Sequence, residues 1–226
     1  SSGGIIITIF MLLSDDFETL KEYLVKRPWH SVWTIEPQRL FGMYKRLGLF
    51  DIDDFYKGFE PFFLAKNIDR NITLAEFYQL TKKTINIYLA ELNEFEVFFV
   101  NHETHPNMKL IEAVYMTSTV PCVFVPLIKE DKCYIDGALM NYFPTGDVLK
   151  KANKDSILGL CNERNSRRSI YNISSDSNMF EFIISIVLKN VDYVIDDIFC
   201  KEELKNMIYI PGYNNKLWLD IINSED

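Results

Sequence analysis

Ser1-Ser2-Gly3-Gly4-Ile5-Ile6-Ile7-Thr8-Ile9-Phe10-Met11-Leu12-Leu13 is the stretch on which the fold turns. Two small hydroxyl residues and two glycines lead straight into an apolar run broken only by Thr8, and the run stops at the polar Ser14-Asp15-Asp16. So apolar a segment belongs in a core, as a buried helix or a buried strand, and the pattern alone leaves both open. Read as a helix, it puts Ser1 at a strand-to-helix turn. A nucleophilic serine needs such a turn, with glycines that let the backbone bend sharply. The helix N-terminus then brings unpaired N–H groups and a positive dipole end beside the reacting oxygen. A flexible Ser/Gly tail accounts for the same four residues without chemistry, and the half-motif S-x-G-G does not decide between the two.

Working outward, helical spacing recurs at Asp16 to Val25 and at Pro37 to Leu47. In the second, Leu40, Phe41, Tyr44 and Leu47 share one face and Gly48 stands where a C-terminal cap is expected. Thr73 followed by Glu76 is a capping box, so a helix is expected from Leu74 to about Lys82. Thr84 to Leu92 and Glu96 to Val100 read as two strands joined by a hairpin turn at Asn93-Glu94. A helix is expected over Asn107 to Met116, a short strand over Lys132 to Ile135, and a helix after Pro144. A strand follows at Ile157 to Leu160, then a polar loop. A long apolar helix from Met179 to about Ile198 precedes a strand at Met207 to Ile210. Strands alternating with helices indicate an α/β domain. With no linker or repeat, one domain is expected over residues 1–226.

The composition narrows the function classes. Of 226 residues, 48% are hydrophobic and 14% aromatic, enough for a well-filled interior. Lys and Arg number 24 against 32 Asp and Glu, a net charge of −8. That balance lacks the clustered cations a nucleic-acid partner requires, and it gives no long-range attraction to anionic membrane, so lipid contact must be apolar or local. Cys122, Cys133, Cys161 and Cys200 form no CxxC pair or Cys/His cluster. Neither a structural zinc nor a required disulfide is indicated, and free thiols in a reducing, intracellular compartment are the plainer reading. No apolar run is long enough to span a bilayer.

A second candidate is Tyr134-Ile135-Asp136-Gly137-Ala138. Strand followed by Asp-Gly is first a turn signature; the functional alternative is a carboxylate held at a strand end. The histidines constrain which serine chemistry is open. His30, His102 and His105 all precede Asp136, so the order serine, acid, histidine of the α/β-hydrolases is hard to assemble. If a serine reacts here, its base is a carboxylate, and a free Asp, with a pKa of about 3.9, would need burial or a tight hydrogen bond to serve. The pair His102 and His105 with Glu103 is a metal candidate in spacing only, since it lies in the polar turn 101–106; no metal or cofactor is expected.

Ile111-Glu112-Ala113-Val114-Tyr115-Met116-Thr117-Ser118-Thr119-Val120-Pro121-Cys122-Val123-Phe124-Val125-Pro126 resembles the helix-to-loop stretch of patatin-like phospholipases, which runs roughly A-V-x-A-S-S-A-x-P-x-x-F-x-P. Tyr134 to Leu139, then Asn141 and Pro144-Thr145, is similar to that family's D-G-G or D-G-A motif with its following N-x-P. Gly48-Leu49-Phe50-Asp51 looks like its G-L-F-D, and the opening fits G-T-S-S-G-G with the first two residues missing. The resemblance covers residues 1–160; residues 161–226 match nothing nameable beyond a long helix.

The resemblance implies a three-layer α/β fold with a mainly parallel central sheet and a Ser–Asp dyad without histidine. Carried over, Ser1 is the nucleophile and Asp136 the base, the backbone N–H of Ser2 is an oxyanion donor, and Gly3 and Gly137 support the two motifs. Ser2 is the competing nucleophile if the motif is read one place later. The implied activity is a lipid acyl hydrolase of phospholipase A or lysophospholipase type, acting on phospholipid or another lipid ester at a membrane surface or micelle. The alternative is a catalytically silent lipid-binding or interaction protein on the same fold. The family's Gly-rich oxyanion loop and the strand leading into the serine are absent from the chain. The chain is therefore expected to be a fragment of a longer domain and almost inactive alone. Phe59 to Ala65 is open as acyl groove, bilayer contact or core, and Arg164, Arg167 and Arg168 as headgroup ligands or solvated side chains.

Overall fold

The opening apolar run is a helix, α1, spanning Ser2–Leu13. In the computed structural model, residues 2–141, 143–162, 173–177, 179, 182–187, 189 and 204–210 are described. Length and one-sided burial decide for helix over strand: Ile5, Ile9, Phe10 and Leu13 lie on one side and are buried. Thr8, the one polar interruption, donates its hydroxyl to the Gly4 carbonyl at 2.8 Å, so it leaves no donor unpaired. Phe10 stacks on Phe59 at 5.0 Å and meets the edge of Phe62 at 5.1 Å. Burying a side chain of that size contributes about 2–3 kcal/mol.

The chain forms two compact units, the first ending at Ala138. In it, α1 is followed by α2 (Phe17–Lys26), capped by Asp16, whose carboxylate accepts from the Thr19 N–H at 2.7 Å. Then come α3 (Trp29–Val32), α4 (Pro37–Arg46), β1 (Gly48–Phe50), α5 (Ile52–Tyr56) and α6 (Glu60–Ala65). The capping box of Thr73 and Glu76 starts α7 (Leu74–Thr81) as expected. β2 (Ile87–Glu91) and β3 (Glu96–Val100) form the expected hairpin, followed by α8 (Leu110–Thr117), β4 (Cys122–Phe124), β5 (Leu127–Lys129) and β6 (Lys132–Asp136).

Two expectations are corrected. Gly48 does not cap α4: Leu47 takes the left-handed conformation (φ 66°) and Gly48 is already strand. Glycine is needed there for space, because a Cβ would sit 2.4 Å from the Phe124 carbonyl carbon of the neighbouring strand. The α/β class is observed, but parallel pairing in this unit joins only β1 to β4 among the described residues. The four-stranded sheet, in the order β3-β2-β6-β5, is antiparallel throughout. The turns between β2 and β3 and between β5 and β6 are short, whereas a parallel neighbour needs a crossover of about a dozen residues.

The core of this unit is aromatic. Phe55 lies 5.4 Å from both Phe59 and Tyr115 and 5.6 Å from Phe124, tying α5 and α6 to α8 and β4. In the stretch 59–65, Phe59, Phe62 and Phe63 are ordinary core, whereas Glu60, Pro61, Leu64 and Ala65 are exposed.

The second unit begins at Leu139. It holds α9 (Thr145–Leu149), β7 (Leu158–Asn162) and β8 (Asn206–Ile210), the two strands paired in parallel from Leu158 opposite Asn206 to Asn162 opposite Ile210. Of the long helix expected over 179–198, residues 182–187 are helical and the rest lies largely outside the described residues. No described helix is long and apolar enough to cross a membrane.

Candidate active site

Asp136 ends β6, where it pairs with Leu89 of β2. Its N–H donates to the Thr119 carbonyl at 3.0 Å, anchoring the strand end to the loop that follows α8. The side chain is only 4% exposed. Its carboxylate accepts the Ala138 N–H at 2.8 Å and lies near the side chain of Ser2, the first residue of α1. Burial raises the pKa of Asp136 from 3.8 to about 6, and the Ala138 hydrogen bond and the nearby Ser2 side chain pull the other way. The poor base that an exposed aspartate would be is thereby moved towards neutrality.

Gly137 acts differently from the expectation that it lets the chain turn by an unusual backbone conformation. Its φ is not positive; a Cβ there would lie 2.4 Å from the Tyr88 carbonyl oxygen. That same oxygen accepts the Thr117 hydroxyl at 2.5 Å. Glycine at 137 lets β6 and its carboxylate lie close against β2, and Thr117 fixes the β2 carbonyl they approach. Thr117 and Thr119 were not legible as site residues. The only available signal was the hydroxyl run Thr117-Ser118-Thr119 ending α8, all three buried.

The structure brings Ser2 and Asp136 together; Ser1 lies outside the described residues, as do Arg164, Arg167 and Arg168. Gly3 is helical in the first turn of α1, and a Cβ there meets nothing within 4 Å among the described residues. The N–H groups of that first turn have no partner within the helix, and the dipole end they form favours negative charge. His102 and His105 have other partners. His102 stacks on Tyr78 at 3.8 Å, and His105 Nδ1 lies 3.0 Å from the Thr104 hydroxyl, which itself belongs to a turn organised by the Asn101 side chain. Among the described residues, no group of three His, Cys, Asp or Glu could hold a metal ion.

A buried carboxylate of raised pKa beside a serine at a helix N-terminus can take a proton from an alcohol while nearby N–H groups stabilise an oxyanion. The chain belongs to the patatin-like phospholipase family, whose model matches residues 1–149, from the start of α1 to the end of α9. It is similar to the probable lipid hydrolase 463L of Invertebrate iridescent virus 6, with 27% identity over 156 residues, 68% of this chain and 53% of that protein. The chain thus spans about half the length of the curated relative it matches.

Proposed function

We propose that the protein is a lipid acyl hydrolase that works through a serine–aspartate dyad, with Ser1 as nucleophile and Asp136 as base. The observation that carries this reading is the buried Asp136 carboxylate of raised pKa beside Ser2 in the first turn of α1. Membership of the patatin-like phospholipase family and the likeness to a protein named as a lipid hydrolase support lipid esters as the substrate class. Phospholipid or another lipid ester, presented by a membrane surface or micelle, is the proposed substrate.

In the proposed cycle Asp136 takes the Ser1 hydroxyl proton as the oxygen attacks the ester carbonyl. The carbonyl electron pair moves to oxygen, where the Ser2 N–H receives it, and then returns to expel the alcohol, which leaves with the proton from Asp136. Water repeats the sequence on the acyl-serine and releases the fatty acid. The base works when ionised, so turnover rises with pH through about 6.

The test is a long-chain fluorophosphonate applied to the full-length protein, with Ser1→Ala and Ser2→Ala compared. Labelling is expected at Ser1, with hydrolysis abolished in Ser1→Ala at nearly unchanged thermal stability. The Ser2 contact with Asp136 makes this a demanding comparison. Labelling at Ser2, or activity retained in Ser1→Ala, transfers the role to Ser2; no labelling at either serine removes the dyad.

A further inference from the structure

Helix α4 is turned inside out. On its wheel, Leu40, Phe41 and Tyr44 form one stripe, and Arg39 and Arg46, seven residues apart, lie on the opposite side. The usual arrangement buries the apolar stripe and hydrates the charges. Here the two terminal guanidinium nitrogens of Arg39 donate to the Asp54 carboxylate. Arg39 also donates to the Leu49 carbonyl at 3.3 Å, and its guanidinium carbon lies 5.7 Å from the Phe50 ring centre. Arg46 donates to Asp51 at 2.8 Å. The cations are held against β1 and the start of α5, and none of the helix is buried. Phe41 and Tyr44 stand 87% and 89% exposed, with Leu40 and Leu47 beside them also exposed.

The geometry points to α4 as the surface by which this protein seats on the phosphate-level interface of a phospholipid bilayer. This rests on the reading of the protein as a lipid hydrolase and names how it would reach an aggregated substrate. Three observations favour lipid over a protein partner. Four neighbouring side chains offer a few hundred Å² of apolar surface, small beside the roughly 800 Å² per partner of a standard protein interface. Phe with Tyr, a ring carrying a polar tip, is the chemistry of the membrane–water boundary. In a chain of net charge −8, α4 contains no acid, and the exposed Lys45 flanks the stripe, placed to meet lipid phosphate. The support of α4 is continuous with the site: β1, against which it packs, pairs with β4, and β4 follows the loop whose Thr119 carbonyl holds Asp136.

The test is sedimentation of the full chain with phosphatidylcholine vesicles, compared with the Phe41→Ala/Tyr44→Ala double variant. The wild type should pellet with vesicles, and the double variant should lose about tenfold or more in partition at an unchanged melting temperature, since both rings are exposed. Val25→Ala, which truncates an exposed side chain of α2, should bind as the wild type does. Binding is read without turnover, so vesicle binding by the chain together with no fluorophosphonate labelling of the full-length protein ends the hydrolase reading and leaves the surface standing. A chain that is labelled but ignores vesicles overturns the surface alone, as does equal loss in Val25→Ala or none in the double variant. Self-association that the double variant abolishes, without vesicle binding, would assign the stripe to a second copy and overturn the lipid assignment.

Discussion

Asp136→Asn separates what the carboxylate does for chemistry from what its charge does to the fold. Burial raises its pKa from 3.8 to about 6, so between those values the folded chain binds a proton that the unfolded chain has released. Stability therefore falls as pH rises through this window, and above about 6 the full penalty is present. At about 1.4 kcal/mol for each tenfold change, that penalty is about 3 kcal/mol. Asparagine carries no charge and avoids it, while its one carbonyl oxygen serves the Ala138 N–H less well. A weakened hydrogen bond returns about 1 kcal/mol. The variant should be about 2 kcal/mol more stable than the wild type at about pH 7.5, with the gain vanishing below about pH 4. Its hydrolysis should fall by about 10²–10⁴ because the base is gone. Urea unfolding at both pH values, followed through Trp29 and Trp33 of the first unit, measures the effect. A variant less stable than the wild type near neutrality, or shifted equally at both pH values, would falsify the account of Asp136 as a buried, strained carboxylate.

Gly137→Ala should cost about 2 kcal/mol or more, because a Cβ 2.4 Å from the Tyr88 carbonyl forces β6 away from β2. Fluorophosphonate labelling should slow with it as Asp136 moves, and a variant of native melting temperature and native labelling rate would contradict the close-approach argument. Arg39→Ala should destabilise by about 2 kcal/mol at neutral pH, less than a fully buried pair would lose, because Arg39 is partly exposed. Burial raises the pKa of Asp54, but hydrogen bonds from Arg39 and Lys57 outweigh it and hold the carboxyl at about 2. That stabilisation is complete above 3.8 and lost as pH falls through about 2, so the deficit of the variant in chemical denaturation should shrink in acid.

Local signals carried much of this fold. The capping box at Thr73 and Glu76 and the hairpin between Ile87 and Val100 rest on residues close together in the chain, whereas the continuous apolar run of α1 left helix and strand open. A short-range hydrogen bond or a fixed periodicity is the same physics in a sequence as in a structure. Asp136 was likewise legible as a candidate, through its strand-then-Asp-Gly setting and its place in the family motif.

The amino-acid pattern by itself determined that α4 has an apolar face and that no histidine follows the aspartate; the pairing of Ser1 or Ser2 with Asp136 is what the family resemblance implies. Only the tertiary structure decided which way the α4 face points, because the partners that clamp Arg39 and Arg46 belong to the following α5 segment rather than to the helix. It also decided that the four-stranded sheet runs antiparallel and that Gly137 is there for the carbonyl of Tyr88. The pKa of Asp136 belongs to the same class. Nothing in Tyr134-Ile135-Asp136-Gly137 moves a carboxyl to about 6; desolvation does, and desolvation exists only when distant segments close over the group.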